Sequence, residues 1–323
     1  MKPKLFIDGE HGTTGLQIRQ RIAGRDDIEV LSIPEAERRN QSMREQLLKE
    51  ADIAILCLPD DAARESVAMV ADAGTRIIDA STAHRVAEGW TYGFPEMDAD
   101  QAEKIAAARL VCNPGCWPQG PIAMLRPLVK AGLIPADYPV TFTGITGYSG
   151  GGKAMIADYE EMGDTAPEYL PYGLTLSHKH LPELKKNALL TRDPLMVPVV
   201  GDFAQGMLTM VPLQLSTLDT VPTGQQLHDA IADHYASIPN SVVTVAPYAS
   251  IERSGDIDPQ VNNDTDAMTL YVCTNDARAQ AVLIAVYDNL GKGASGAAVQ
   301  NLNLMIGKQV GENPNPDLHP SVM

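Results

Sequence analysis

Cysteine is scarce in this chain, with four residues in 323, and Cys57, Cys112, Cys116 and Cys273 are scattered without a paired CxxC spacing. That excludes the disulfide framework of a small secreted domain and points to a reducing compartment, where a thiol stays available for chemistry. Positive charge is also short: 25 Lys and Arg stand against 41 Asp and Glu, a formal net charge of −16. A nucleic-acid backbone needs a surplus of cations on some face, so nucleic acid is excluded as a partner, whereas a small anionic substrate in a local basic pocket is not. No apolar run approaches the roughly 18 residues expected of a membrane span. The start, Met1 to Gly9, runs straight into a strand without the apolar centre of a signal peptide. The expectation is a cytoplasmic protein with no membrane partner and no resident metal.

Hydrophobic residues make up 44% of the chain and charged residues 20%, which is ordinary globular usage, and 323 residues are enough for two domains. Lys4–Ile7 reads as a buried strand, Leu16–Ala23 as a helix and Ile28–Ile33 as a second strand. A helix over Ser42–Glu50, a strand over Ile53–Leu58, a helix over Asp61–Ala73 and a strand over Arg76–Asp79 follow. Alternation at the period of βαβ units predicts a parallel, doubly wound sheet with right-handed crossovers. After Cys116 the texture changes to β-rich stretches, such as Val140–Ile145 and Ala267–Thr274, with longer connections, which suggests an α+β domain. The apolar spacing over Ala277–Leu290 and Ala294–Met305 reads as helical, with the final helix returning to the first domain.

Between the first strand and helix lies Gly9-Glu10-His11-Gly12-Thr13-Thr14-Gly15, a GxxGxxG spacing. Glycines there permit a tight turn, close approach of backbone to a pyrophosphate and close helix packing, while the helix N-terminus supplies N–H groups. A plain β-turn-α connection is the alternative. At the end of the second strand, where an NAD site carries an acidic side chain for the ribose hydroxyls, stands Ser32, followed by Arg38 and Arg39. A hydroxyl with a guanidinium suits the 2′-phosphate of NADP; a solvated helix start is the competing account of the arginines.

Asn113-Pro114-Gly115-Cys116 reads as a turn entering a helix with apolar members Ile122, Leu125 and Val129. The dipole and amides of a helix start stabilise thiolate over thiol, so Cys116 is the candidate nucleophile. Cys57 and Cys273, inside apolar or β-rich runs, read as small buried hydrophobes. The other cluster is Ser177-His178-Lys179-His180-Leu181-Pro182-Glu183. If it is extended, His178 and His180 point to one side and Lys179 to the other. A metal pair and a solvated loop are the rival readings, and no third ligand at matching spacing is evident.

These residues resemble a family, the shorter branch of the N-acetyl-γ-glutamyl-phosphate reductases of arginine biosynthesis. Asn113–Cys116 resembles its nucleophile motif and His178–Glu183 its HxHxPE motif. Four further blocks agree: Asp79-Ala80-Ser81 with Arg85, Tyr92–Glu96, Gly147–Lys153 and Gly291–Asn301. Trp117 and Gln119 depart from the Tyr and Thr common after the family's cysteine. The resemblance implies an α/β Rossmann-type domain (1–114 plus 295–323) joined to an α+β catalytic and oligomerisation domain (115–294) like that of glyceraldehyde-3-phosphate dehydrogenase. It implies reduction of an acyl phosphate by NADPH through a thioester on Cys116, with His178 and His180 sharing the proton transfers. Arg85, Gln119, Ser149 and Glu183 become candidate substrate ligands. Gly9, Gly12, Thr13, Thr14, Gly15, Ser32, Arg38 and Asn289 become candidate cofactor ligands. A homo-oligomer, dimer or tetramer, is implied as well. The rivals are an aspartate-semialdehyde dehydrogenase and a catalytically silent dinucleotide-binding regulator.

Overall fold

The structure, a computed structural model, describes residues 2–250 and 257–312. The chain divides into two units, one comprising 1–95, 100–115 and 294–323 and the other 96–99 and 116–293. The last stretch of the first unit, 313–323, lies outside the described residues.

The first unit is built on apolar runs that are buried on both faces, as a parallel sheet requires. Its elements are β1 (Lys4–Asp8), α1 (Thr13–Arg21), β2 (Glu29–Leu31), α2 (Gln41–Glu50), β3 (Ile53–Leu56), α3 (Asp60–Met69), β4 (Arg76–Asp79), β5 (Thr91–Tyr92), α4 (Gln101–Ala107) and β6 (Leu110–Cys112). The strands form a parallel sheet in the order β2-β1-β3-β4-β6-β5. Because side chains alternate along a strand, Leu5 and Ile7 join one core with Ile18 of α1, while Phe6 joins the opposite core with Leu48 of α2 and Ala63 of α3.

The second unit carries α5 (Cys116–Lys130), β7 (Thr141–Gly147), α6 (Gly152–Met162), β8 (Tyr169–Pro171), α7 (Leu181–Asn187), β9 (Leu195–Gly201), β10 (Met207–Gln214), α8 (Gly224–Ala236), β11 (Val243–Val245), β12 (Met268–Asn275) and β13 (Gln280–Tyr287). They make a mixed sheet in the order β11-β12-β13-β10-β7-β9-β8, with α5 packed against β10 and β13 and flanked by α7 and α8. A final helix, α9 (Gly296–Met305), returns to the first unit, where Ala298 and Leu302 enter the core beside Ile18.

One expected helix is a strand. Residues 280–287 form β13, paired antiparallel with β10 and β12 along its whole length. A central strand with apolar side chains on both faces has no alternation to betray it, so Gln280-Ala281-Val282-Leu283-Ile284-Ala285-Val286-Tyr287 mimics a helical apolar pattern. The β-branched residues Val282, Ile284 and Val286 were the contrary signal.

Candidate active site

In the first unit the glycine loop has the shape its spacing implies. Gly9 has φ +92°, a left-handed conformation open to glycine, and the Gly12 N–H closes the turn on the Gly9 carbonyl at 2.9 Å. A Cβ at Gly9 would press on the Cys57 carbonyl oxygen, and one at Gly15 would press on the carbonyl of Gly9. Helix α1 opens at Thr13 and Thr14 with no side-chain cap and no acidic residue in its first turn, so its N–H groups suit an anionic pyrophosphate. At the end of β2 the neighbour of Ser32 is the loop's own Glu10. The Glu10 carboxylate, 6% exposed, accepts from the Ile33 N–H at 3.3 Å and the Ser32 hydroxyl at 3.4 Å, and pairs with Arg19 Nε at 3.4 Å. Arg38 follows a single 3₁₀ turn and pairs with Glu35 at 3.1 Å on the exposed surface.

The same unit locks the residue three positions ahead of Cys116. The Asn113 N–H donates to the Asp79 carbonyl (2.7 Å) and its carbonyl accepts from Arg85 Nε (3.1 Å). Its amide Oδ1 accepts from Asn301 Nδ2 (3.1 Å), and its own Nδ2 donates to the Ala294 carbonyl (3.0 Å). Three of the blocks singled out in the sequence therefore meet on one asparagine. Arg85, buried, also donates from Nη2 to the Ala80 carbonyl at 3.0 Å. Beneath it, Asp79 gathers the Ser81 hydroxyl at 2.7 Å and His84 Nδ1 at 2.6 Å, and the His84 ring stacks on Trp90.

In the second unit Cys116 is the first residue of α5 and is half-buried. Three prolines follow within the helix, and partners from outside it hold the affected turns. The Tyr287 hydroxyl, at the end of β13, donates to the Cys116 carbonyl at 2.7 Å and accepts from the Gly120 N–H at 3.3 Å. Pro127 has no N–H for the Ala123 carbonyl, which instead accepts from the Tyr235 hydroxyl at 2.8 Å. The turn at Gly291–Gly293 presses against the cysteine: a Cβ on Gly293 would lie 3.2 Å from Cys116 Cβ. Gln119, fully buried one turn on, donates from Nε2 to the Lys292 carbonyl at 2.7 Å, and its Oε1 has no hydrogen-bond partner among the described residues. Lys292 and Glu96 form a fully buried ion pair at 2.6 Å.

A run of rings leads from the residue after the cysteine to the histidines. Trp117 meets Tyr172 edge-on at 6.4 Å between centroids, Tyr172 meets His178 at 6.1 Å, and His178 meets His180 at 4.7 Å. Burial and the nearby Cys116 charge both push the Tyr172 and Tyr287 hydroxyls well above the ordinary tyrosine range. The histidine segment is not extended. His180 sits in the helical region (φ −87°, ψ −8°) at the N-terminus of α7, and a turn rather than strand alternation brings the rings together. The His180 backbone N–H donates to His178 Nδ1 at 3.3 Å, which leaves the neutral ring's hydrogen on Nε2. Burial first, and then Lys179, lower the His178 pKa, so the ring is neutral near pH 7. Glu183, buried in the first turn of α7, lies beyond it. Ser149 is buried with its hydroxyl accepting from Asn289 Nδ2 at 3.0 Å, while Asn289 Oδ1 accepts from the Gly206 N–H at 2.8 Å. Of the other cysteines, burial pushes the Cys57 and Cys273 thiols up, and Cys112 is buried with its Sγ toward the Thr91 carbonyl.

Two family models match: the semialdehyde dehydrogenase NAD binding domain over residues 9–105 and the semialdehyde dehydrogenase dimerisation domain over residues 116–289. A protein of Chelativorans sp. (strain BNC1) named N-acetyl-gamma-glutamyl-phosphate reductase is 69% identical over 95% of this chain and 99% of its own length. The protein of that name from Sinorhizobium medicae (strain WSM419) is 56% identical over 95% of this chain and 99% of its own. The chain belongs to the N-acetyl-gamma-glutamyl-phosphate reductase family. Its fold is shared more widely. The aspartate semialdehyde dehydrogenase II of Vibrio cholerae superposes with a TM-score of 0.68 at 15% identity, covering 95% of this chain and 98% of that one. The aspartate semialdehyde dehydrogenase of Francisella tularensis gives 0.69 at 16%, covering 94% and 100%. At that distance the likeness concerns architecture, and the family assignment rests on the reductases.

Several residues of the site were absent from the sequence reading. Tyr172, Tyr287 and Glu10 lie outside the motifs or at their unassigned positions, and only the fold brings them in. Lys292 and Glu96 each belong to a block singled out above, and their pairing across 196 positions is what those blocks left unsaid.

Proposed function

We propose that this chain reduces N-acetyl-γ-glutamyl phosphate to N-acetylglutamate semialdehyde with release of phosphate, using NADPH and a thioester on Cys116. The observation that carries the mechanism is the placement of Cys116 as the first residue of α5, joined through Trp117 and Tyr172 to the His178–His180 pair. The substrate is taken from the family's name. The helix start favours the thiolate. Its sulfur attacks the γ-acyl carbon, the bond from that carbon to the phosphate oxygen breaks, and phosphate leaves with the bonding pair. The thiol proton passes to the histidine pair. Bound NADPH supplies the hydride that takes the acyl group to the aldehyde level. Collapse of the resulting hemithioacetal oxyanion then re-forms the carbonyl, breaks the carbon–sulfur bond with its pair going to sulfur, restores the thiolate and frees the semialdehyde.

The glycine loop with Thr13, Thr14, Ser32 and Arg38 would hold the dinucleotide, in a domain of residues 1–114 and 295–323. Gln119, Ser149 and Glu183 would meet the substrate in the remainder. Gln119 Oε1, buried with its Nε2 already engaged, suits a donor such as the acetamido N–H. Arg85 supports the chain ahead of the nucleophile through the Asn113 carbonyl, and any hold it has on an anion would come in addition. We further infer a homo-oligomer in the cytoplasm, supported by the dimerisation-domain match. No helix among the described residues is long and apolar enough to cross a membrane.

The test runs the reaction backwards: the purified protein oxidises N-acetylglutamate semialdehyde only when both phosphate and NADP are present, and prefers it to aspartate semialdehyde. Cys116→Ser abolishes this turnover while NADPH binding, read by fluorescence, stays intact. Full activity in Cys116→Ser, or phosphate-independent oxidation, overturns the mechanism.

A further inference from the structure

An NAD site presents an acidic side chain at the end of the second strand for the ribose hydroxyls, and an NADP site replaces it with groups that tolerate a 2′-phosphate. Here the strand itself ends in Ser32, yet the station is not free of acid. Glu10, from the middle of the glycine loop, brings a carboxylate to it. That carboxylate is nine-tenths buried and fixed by the Ile33 N–H (3.3 Å) and the Ser32 hydroxyl (3.4 Å), with Arg19 Nε at 3.4 Å and His11 Nε2 at 4.0 Å. Arg19 reaches back from α1 because helical side chains lean toward the N-terminus, and its side chain stays 38% exposed. One corner therefore holds both answers to the ribose: a carboxylate that suits a hydroxyl and a guanidinium that suits a phosphate.

We propose that Glu10 sets how strongly this chain distinguishes a 2′-phosphorylated dinucleotide from an unphosphorylated one, by opposing the 2′-phosphate directly and by occupying Arg19. The proposal rests on the dinucleotide site assigned above. Two effects of the carboxylate point the same way. A negative group beside Ser32 repels a phosphate placed there. An Arg19 committed to Glu10 has less positive charge to offer. Removing the charge of Glu10 while keeping its shape therefore favours the phosphorylated ligand, and removing Arg19 leaves an uncompensated carboxylate that disfavours it. Arg38, paired with Glu35 on the exposed 3₁₀ turn, has a weaker hold on the balance.

Calorimetric titration with adenosine 2′,5′-bisphosphate and with 5′-AMP reads this without turnover. In Glu10→Gln the ratio of the two affinities shifts toward the bisphosphate by about tenfold, the scale of one charge interaction at a partly desolvated site. In Arg19→Gln it shifts the opposite way. A ratio unchanged in Glu10→Gln, or moved toward 5′-AMP, overturns the proposal; so does an Arg19→Gln variant that binds the bisphosphate better than the wild type. The wild-type ratio tests the underlying reading separately. If the wild type prefers 5′-AMP, the NADP assignment fails, while the direction of the Glu10→Gln shift still decides the role of Glu10. Should Glu10→Gln fold poorly, the Arg19→Gln arm decides alone, since the Arg19 side chain is 38% exposed and lies on the surface of α1.

Discussion

His178 is held in its neutral form by its surroundings. Burial disfavours the imidazolium and Lys179 adds a like charge, so the ring protonates only below the ordinary histidine value of about 6.5. If the histidine pair must be neutral to receive the Cys116 proton, turnover falls as pH drops through the His178 pKa and is level above it. Lys179 is exposed and makes the smaller contribution. Replacing it in Lys179→Met moves the acid limb of the kcat profile to higher pH with little change in the plateau; a limb that stays in place removes His178 from the proton path. Stability has the matching sign. With a native pKa below the unfolded one, the unfolded chain takes up the proton first, so stability is full above about pH 6.5 and declines as pH falls toward the native value. The histidine motif was legible in the sequence as a pair, but its geometry was not. Strand alternation predicted two rings on one side, and the fold instead uses a turn into α7 with the His180 N–H on His178 Nδ1.

Helix α5 shows what an element needs in order to present a nucleophile. Its sequence carries prolines at 121 and 127 inside the helix, residues that weaken a helix interior; the Tyr235 hydroxyl of α8 supplies the partner that Pro127 denies the Ala123 carbonyl, and the Tyr287 hydroxyl of β13 braces the first turn. The hydroxyl of Tyr287 bridges the Cys116 carbonyl and the Gly120 N–H in the first turn. In Tyr287→Phe these two groups close on each other or go unmet, at a cost of about 1–3 kcal/mol for a buried polar loss. The expected result is a lower denaturant midpoint and a fall in kcat of about tenfold through displacement of Cys116, with KM for the semialdehyde little changed. A variant with wild-type kcat and only reduced stability leaves Tyr287 as a structural residue. None of this was visible from the sequence, because Tyr287 ends a segment that reads as a helix. The strands of the first unit were legible for the reason that misled there: continuous apolar runs separated by helical periods announce a parallel sheet, whereas an isolated apolar run in a mixed sheet does not announce its type.

At the scale of the molecule, the question is what covers the second sheet. One face lies under α5. The other carries a separate apolar cluster, in which Leu208, Ile284 and Val286 are buried and Ile145, Met210 and Tyr271 are half-buried around them. A sheet face of this composition costs free energy if it stays in water, and the family model for this region is described as a dimerisation domain. Pairing of two copies through this face would bury the half-exposed side chains by an isologous contact, in which each residue meets the symmetry mate's counterpart surface. The expectation is a dimer or tetramer by light scattering at micromolar concentration. Tyr271→Asp places a charge on the face without touching the α5 side of the sheet, since Tyr271 alternates with the buried Leu270 and Val272. It should give monomers with the far-UV signature of the folded chain. If the variant keeps the wild-type mass, the contact lies elsewhere, and the acidic surface implied by a net charge of −16 then faces solvent with this sheet uncovered.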